Sequence, residues 1–303
     1  MNTEVKNMEP PPGKKGKLNF SRRLSGGLIT LAPISLWMLA FFIVPIIIIV
    51  VVSFSKRTIV GTIDYSFTLS NYGRAFDLNY LKILGNSLWI SLLTTLLCLV
   101  FGYPFAYFIA RASKKYRSIL LMLIILPFWT NSLIRTYAWM ILLRTEGIIN
   151  TYLMNWNIIK EPIQMLYTEG AVLVGMLYTM FPFMVLPLYS TIEKLDFSLL
   201  EAAADLGANP RKTFLKVTLP LTKSGILSGC LLVFVPTLGL FFIPDLMGGS
   251  KITLISNLIK NQFLQSRNWP FGSAMSIIVM LLMFILIKIF TRLGGSKDKL
   301  EVM

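Results

Sequence analysis

The stretch that decides the fold is residues 196–224, DFSLLEAAADLGANPRKTFLKVTLPLTKS, which interrupts an otherwise apolar sequence with polar and charged residues. Ser198 and Glu201 have the spacing of a capping box, in which two side chains start a helix by bonding its free N–H groups. Gly207 stands where a helix commonly ends in a left-handed residue. The pattern predicts a short helix that begins at Ser198 and is ended by Gly207.

A second short helix is predicted directly afterwards. Asn209 is suited to cap it, and Pro210 suits its first position because that residue needs no N–H. We expect this helix to run from Pro210 to Val217, and Leu219-Pro220 to end it. The two helices are interpreted as a rigid docking element between membrane spans, and an ordinary helical loop is the alternative.

The composition places the chain in a membrane. Of its 303 residues 55% are hydrophobic, and the mean hydropathy is +0.68, far too apolar for a soluble domain of this size. The hydrocarbon core of a bilayer is about 30 Å thick, so each crossing helix needs roughly 20 residues. We predict an all-α integral membrane protein with six transmembrane helices, near residues 29–54, 84–110, 118–143, 170–192, 224–246 and 272–291.

The residue types present exclude several kinds of site. The sequence contains no histidine, which excludes histidine-based catalysis and histidine metal ligands. Cys98 and Cys230 each lie in an apolar run and are interpreted as small buried hydrophobic residues, not as a disulfide or a metal pair. No metal site and no cofactor is expected.

The formal charge of +15 suggests either a nucleic-acid partner or a membrane topology signal. The basic residues flank apolar runs and form no face with aromatic residues, so we prefer the positive-inside rule and expect no nucleic acid. The basic residues of the loops that decide the topology are Arg111, Lys114, Lys115, Arg117, Arg211, Lys212, Lys216, Lys223, Arg292, Lys297 and Lys299. This bias predicts that both termini and the pair of short helices at residues 198–217, called the hairpin below, lie in the cytoplasm of a bacterial cell, beneath its inner membrane.

The chain is predicted to have three regions. Residues 1–28 are expected to form a disordered basic cytoplasmic tail, residues 29–292 the six-helix membrane domain, and residues 293–303 a cytoplasmic C-terminal tail. On the outer side, residues 145–169 are expected to contain a short interfacial helix, and residues 252–266 show helical spacing of apolar residues.

Two charged residues, Arg135 and Asp245, lie within predicted spans three and five. A charge at membrane depth costs several kcal/mol unless it faces a cavity or a partner. One interpretation pairs the two residues with each other or lets them reach the lipid headgroups. The other places Asp245 on a translocation path, where its carboxylate attracts a cationic substrate.

Aromatic residues cluster around the same spans, among them Trp129, Tyr178 and Phe234. Packing and membrane-interface belts explain such residues in most membrane proteins. The alternative is an aromatic-walled path, which attracts an ammonium group through cation–π interactions. The sequence leaves both interpretations open.

The hairpin resembles the EAA loop of ABC-importer permeases in its residues and gaps: Glu201-Ala202-Ala203, three residues, Gly207, nine residues, Val217, then Leu219-Pro220. That family usually has isoleucine where this chain has Val217. Four further segments, 127–143, 168–196, 230–264 and 268–276, resemble the B-type permease subunit of the spermidine/putrescine type. The resemblance covers the chain from about residue 85 to residue 291.

The resemblance implies a type I ABC importer permease fold and a role as permease subunit of an ATP-driven polyamine importer. It implies four partners: a second homologous permease subunit in a heterodimer, two copies of a cytoplasmic ATPase, an external polyamine-binding protein and membrane lipids. The residues implied for ATPase coupling are Glu201, Ala202, Ala203, Gly207, Asn209, Pro210, Leu219 and Pro220. The sequence contains no G-x-x-x-x-G-K-[ST] motif, so ATP hydrolysis is expected on the partner and this chain is not expected to be an enzyme.

Other functions remain open at this point. A permease for iron, thiamine or sulfate would share the same fold and the same loop. A secondary transporter or channel would also have six spans, but it would need its own coupling-ion or filter residues and no docking hairpin. A membrane-embedded enzyme is disfavoured because the acidic groups near membrane depth are isolated from one another.

Overall fold

The computed structural model describes residues 31–58 and 61–293. The predicted tail at residues 1–28 lies outside the described residues, as does nearly all of the predicted C-terminal tail, 293–303. The described chain forms two compact units that divide after Ile49. The described part of the first unit is the beginning of helix α1 (Leu31–Ser53), which is long and apolar enough to cross a membrane.

The second unit contains the other elements. A small antiparallel ribbon comprises β1 (Lys56–Arg57) and β2 (Ile63–Asp64). The helices that follow are α2 (Ser70–Ala75), α3 (Leu78–Arg111), α4 (Lys114–Trp129), α5 (Ser132–Leu143), α6 (Ile148–Asn155), α7 (Glu169–Glu193), α8 (Ser198–Asp205), α9 (Pro210–Leu221), α10 (Lys223–Gly239), α11 (Pro244–Gly248), α12 (Ile255–Leu264) and α13 (Trp269–Leu293). Helix α4 ends in a 3-10 turn, α9 contains a π turn, and α11 is a π turn.

The prediction of a helical integral membrane protein is confirmed, with the short two-stranded ribbon as a departure from an all-α chain. Helices α1, α3, α7 and α13 are each long and apolar enough to cross a bilayer. Two bent pairs, α4 with α5–α6 and α9 with α10, bring the total among the described residues to six if each pair counts as one span. The short helices expected within 145–169 and 252–266 are α6 and α12.

The third predicted span, 118–143, is wrong as a single helix. The chain breaks after Trp129, and the two halves meet at an angle of 95°. The backbone of Thr130 is extended, and the Asn131 side chain accepts a hydrogen bond from the Leu133 N–H at 2.8 Å, which caps the second half. Pro127 and the Asn131 cap therefore end one helix and start another at a depth where a continuous helix was expected.

The fifth predicted span, 224–246, ends earlier than expected, at Gly239. Pro244 has no N–H to donate to the Leu240 carbonyl four residues before it. The Ser256 hydroxyl from α12 donates to that carbonyl at 3.0 Å and so satisfies it. The break is stable in an apolar setting because a neighbouring helix replaces the missing hydrogen bond.

Helices α3, α7 and α10 pack against one another and form the main core. The residues of this core that are fully buried are Cys98, Ala106, Ile109, Met184, Val185, Leu188, Ile192 and Val233. Both native cysteines are buried and free, as the sequence predicted.

Small residues let α10 approach α7 closely. Gly225 and Gly229 lie four residues apart, so they share one face of α10. A Cβ atom on Gly225 would lie 2.5 Å from the Thr191 Oγ1 atom and 3.0 Å from the Pro187 carbonyl oxygen. This spacing of small residues is a common basis of helix packing inside membranes, where apolar burial alone does not drive association.

Gly225→Val is therefore expected to push α10 away from α7. We expect the free energy of unfolding to fall by about 1–3 kcal/mol, as at other overpacked sites. The melting temperature of the purified protein measures it. Gly239→Val is the matched control, because a Cβ atom there has no neighbour within 4 Å. Equal melting temperatures of the two variants would contradict the close packing described here.

Candidate functional site

The first helix of the hairpin, α8, begins differently from the prediction. Ser198 is already the first helical residue, and no side-chain cap is made at its start, so the expected Ser198–Glu201 capping box is wrong. The Leu200 N–H bonds to the Phe197 carbonyl at 3.0 Å, so the chain turns into the helix earlier than Ser198. Hydrogen bonds from the Ser198 hydroxyl and backbone N–H lower the pKa of the Asp196 carboxyl.

The turn between α8 and α9 matches the prediction. Gly207 has a φ of +80°, the left-handed conformation that glycine adopts without steric cost. The Asn209 side chain accepts a hydrogen bond from the Lys212 N–H at 2.8 Å, and Pro210 opens the helix. The two helices also pack against each other. The hairpin is consequently a defined helical pair.

The second helix of the hairpin is longer than expected. Leu219-Pro220 lies inside α9, which ends at Leu221, so the prediction that this dipeptide ends the helix is wrong. A π turn at Phe214–Thr218 precedes the proline. The wider turn shifts the hydrogen-bond ladder and accommodates a residue that has no N–H to donate.

The hairpin meets α10 at a bend of 67° centred on Thr222. The Thr222 hydroxyl donates to the Thr218 carbonyl at 2.9 Å, and the Tyr103 hydroxyl from α3 donates to the Thr222 oxygen at 2.9 Å. The Tyr103 ring also meets the Phe214 ring edge-on, with 5.4 Å between centroids. One tyrosine on α3 thus contacts both the bend and the second helix of the hairpin.

Charged side chains hold the base of the hairpin. The Arg111 guanidinium at the end of α3 lies 5.4 Å from the centre of the Phe197 ring, just before α8. On α4, Arg117 pairs with the Glu193 carboxylate at the end of α7, and it donates to the Ala110 carbonyl at 3.0 Å. Helices α3, α4 and α7 are therefore tied together where the hairpin begins.

The hairpin exposes several apolar residues. Leu206, directly before Gly207, is 89% exposed, and Leu199 and Leu215 are exposed as well. Glu201 and Ala202 on α8 are also exposed. An exposed leucine at the turn of a defined helical pair is a candidate contact for a protein partner.

A second candidate site lies at the opposite end of α10. The Asp245 carboxylate on α11 forms an ion pair with the Lys260 ammonium and accepts a hydrogen bond from the Asn257 amide, both on α12. The interpretation that paired Asp245 with Arg135 is wrong. Helix α12 packs beside the break after Gly239 and brings Lys260 to the carboxylate first.

Arg135 instead lies in a cavity of about 390 Å³ between α3, α4, α5 and α7. Its guanidinium lies 5.1 Å from the centre of the Phe128 ring and 5.7 Å from that of Tyr178. Its Nε atom is buried and has no hydrogen-bond partner among the residues that the structure describes. The cavity is therefore aromatic and carries a positive charge.

The other aromatic residues of the predicted path lie elsewhere. Trp129 is 77% exposed, at the break between α4 and α5. Phe234 is buried, with its ring centroid 6.2 Å from that of Phe290, and it is not among the residues that line the cavity. Of the predicted path residues, only Arg135 and Tyr178 share this cavity.

The sequence interpretation missed Tyr103, Thr222, Asn257 and Lys260 as members of these sites. Asn257 and Lys260 are three residues apart in a helical pattern, so their position on one face of α12 was available from the sequence. Their pairing with Asp245 could not be predicted from the sequence, because the distance between Asp245 and α12 depends on where α10 ends.

Comparison with known proteins supports the architecture. The family described as "Binding-protein-dependent transport system inner membrane component" matches residues 102–295, more than half of the chain. Two solved structures of a bacterial alginate ABC transporter, one in complex with a substrate-bound periplasmic protein, have TM-scores of 0.70 at 18% identity. The alignments cover 92% and 90% of this chain, and 98% and 95% of the two alginate transporter chains. The likeness confirms the type I permease fold.

Individual relatives are much closer in sequence. The spermidine/putrescine transport system permease protein PotB of Haemophilus influenzae is 49% identical over 87% of this chain and 92% of its own length. The protein of the same name from Escherichia coli K12 is 47% identical over 88% of this chain and 98% of its own length. The E. coli inner membrane ABC transporter permease protein YdcU is 30% identical over 75% of this chain and 76% of its own length.

The family match, the near-complete alignment with these permeases and the shared fold lead to one conclusion: this chain belongs to the binding-protein-dependent transport system inner membrane component family, the membrane-spanning permeases of ABC importers.

Proposed function

We propose that this chain is the permease subunit of an ATP-driven importer of spermidine and putrescine. The observation that carries the proposal is the 49% identity with a permease named for these polyamines, over 87% of the chain. The chain would form half of the translocation path, and the ATP would be hydrolysed by a partner.

The hairpin end of the molecule faces the cytoplasm in this proposal, together with both termini and the tails predicted at 1–28 and 293–303. Support comes from the basic residues that gather at that end: Arg111 beside Phe197, and Arg117 beside Glu193. Basic residues are retained on the cytoplasmic side during insertion, so their clustering around the hairpin favours this orientation.

The hairpin is the docking element for a cytoplasmic ATPase. Leu206 is the most exposed large apolar residue on it, and we assign it to the contact with the ATPase. Glu201, Ala202 and Ala203 lie on α8, the first helix of the docking surface. Gly207, Asn209 and Pro210 fix the turn that follows it. Two copies of the ATPase, a homologous permease partner and an external polyamine-binding protein complete the complex.

Movement of the docked hairpin reaches the membrane through the bend at Thr222. Leu219 and Pro220 lie in the last turn of α9, directly before the bend, so a tilt of α9 is passed to α10. Helix α10 packs on α3 and α7 and ends close to Asp245. A closure of the ATPase dimer is thereby converted into a change at the opposite end of the permease.

The cation path passes Asp245 and not the cavity around Arg135. A polyamine in that cavity would meet a guanidinium that has no carboxylate beside it among the described residues. Asp245 supplies the negative charge that a polyamine needs, and Phe241 beside it supplies an exposed ring.

The substrate assignment is tested by uptake into proteoliposomes that contain the whole complex. We expect ATP-dependent uptake of radiolabelled spermidine and putrescine that requires the external binding protein. Iron, thiamine and sulfate are the comparison solutes. Uptake of one of these in place of polyamines would contradict the substrate assignment and leave the permease family intact.

Gly207→Asp tests the docking role of the hairpin. The cost in folding is small, about 1 kcal/mol, because the surrounding space is open and only the left-handed backbone is strained. We expect the variant to insert into the membrane normally. The number of polyamine molecules transported per ATP hydrolysed should fall to a small fraction of the wild-type value.

Gly61→Asp is the matched control, because Gly61 has a similar φ of +83° and lies in the turn between β1 and β2, where its neighbours are Arg57 and Arg267 and not the hairpin. It should transport normally. Unchanged coupling in Gly207→Asp would mean that the turn does not belong to the docking surface.

A further inference from the structure

The ion pair between Asp245 and Lys260 has the composition of an alkylammonium-binding site. One carboxylate oxygen accepts from the Lys260 ammonium and the other from the Asn257 amide. The Lys260 Nζ atom also lies 5.7 Å from the centre of the Phe241 ring. A carboxylate and an aromatic ring around one ammonium are the groups that recognise an alkylamine.

The site is held rigidly by the surrounding backbone. Asn257 is buried, and its amide nitrogen donates to the Phe241 carbonyl at 2.9 Å as well as to Asp245. Its side-chain oxygen accepts from the Leu254 N–H at 3.4 Å. Asn257 thus fixes the position of Asp245 independently of Lys260, so the carboxylate stays in place when the lysine leaves.

The present occupant resembles the proposed substrate. A lysine side chain is four methylene groups that end in a primary ammonium, and putrescine is four methylene groups with an ammonium at each end. The side chains of Lys260 and Asp245 are 23% and 30% exposed, so a soluble amine can reach the pair.

We propose that Lys260 is a tethered occupant of a substrate site, and that one ammonium group of a polyamine displaces it from Asp245 during transport. The inference rests on the proposed polyamine function and adds a named site to it. No covalent bond is made or broken, and one ammonium replaces another on the same carboxylate.

The exchange has an electrostatic advantage. An uncompensated carboxylate at membrane depth costs several kcal/mol, and Lys260 prevents that cost whenever no substrate is present. Because the lysine is tethered, it rebinds readily and helps to release the substrate. The site is consequently weak, which suits a path from which substrate must depart.

A neighbouring acceptor fits the same interpretation. Asn261 lies one helical turn beyond Asn257, on the same side of α12. Its Oδ1 atom is buried and has no hydrogen-bond partner within the described ranges. An incoming ammonium has three donors and would supply one.

The test is equilibrium binding of radiolabelled putrescine and spermidine to the full permease–ATPase complex in lipid nanodiscs, without the external binding protein. If the ion pair is open one tenth of the time, Lys260→Met should lower the apparent Kd about tenfold. Lys260→Arg should raise it several-fold, since a guanidinium binds a carboxylate in a bidentate manner. Lys251→Met, an exposed lysine outside the cluster, is the matched control and should not change the Kd.

A double-mutant cycle separates displacement from a structural effect. In an Asp245→Asn background, Lys260→Met should no longer tighten binding, because the two residues then share no ion pair. An equal Kd for wild type, Lys260→Met and Lys260→Arg, in a complex that still imports polyamines, would overturn the displacement and leave the function standing. If Lys260→Met fails to fold, an unchanged Kd in Lys260→Arg overturns it. A wild-type complex that imports no polyamine overturns the proposed function instead.

Discussion

The hydrogen bond between Tyr103 and Thr222 lies at the point where the hairpin meets the membrane core. Thr222 is already bonded to its own helix through Thr218, so the tyrosine adds a link from α3 to the bend. Without such a link, a 67° bend beside a proline would be free to flex. With it, α3 is hydrogen-bonded to the bend that joins the hairpin to α10.

The same principle governs the opposite end of α10. Pro244 removes the hydrogen bond to the Leu240 carbonyl, and Ser256 on α12 satisfies that carbonyl. Asn257, also on α12, adds a second donor to the Phe241 carbonyl, which already accepts from the Asp245 N–H. An interrupted helix is stable in lipid only when neighbours supply these partners. The polar groups that repair the break also surround Asp245, so the break and the charged site depend on one another.

Much of the fold could be predicted from the sequence because membrane thickness fixes helix length. The four continuous spans, the Gly207 turn and the Asn209 cap follow from local rules that hold without tertiary contacts. The break after Trp129 and the early end of α10 were missed, because hydropathy does not register a bend inside an apolar stretch. The capping box failed for a related reason: helix entry was set by the backbone at Phe197 and not by Ser198.

The candidate site was less predictable than the fold. The residues proposed for docking follow from one local motif, whereas Lys260 reaches Asp245 only because of where two helices end. Charge pairing between distant segments depends on that geometry, and a sequence alone offered Arg135 as an equally reasonable partner.

The central claim is that the hairpin faces the cytoplasm, where an ATPase can reach it. A single cysteine at Ala202, probed with a membrane-impermeant maleimide, tests this directly, and the two native cysteines are buried and contribute little background. A cysteine at the exposed Lys160 is the control for the opposite side. In inside-out vesicles stripped of the ATPase, which would otherwise cover Ala202, the account predicts labelling of the Ala202 site, and in intact spheroplasts it predicts none. The Lys160 site should show the reverse. Labelling of the Ala202 site in intact spheroplasts would contradict the account.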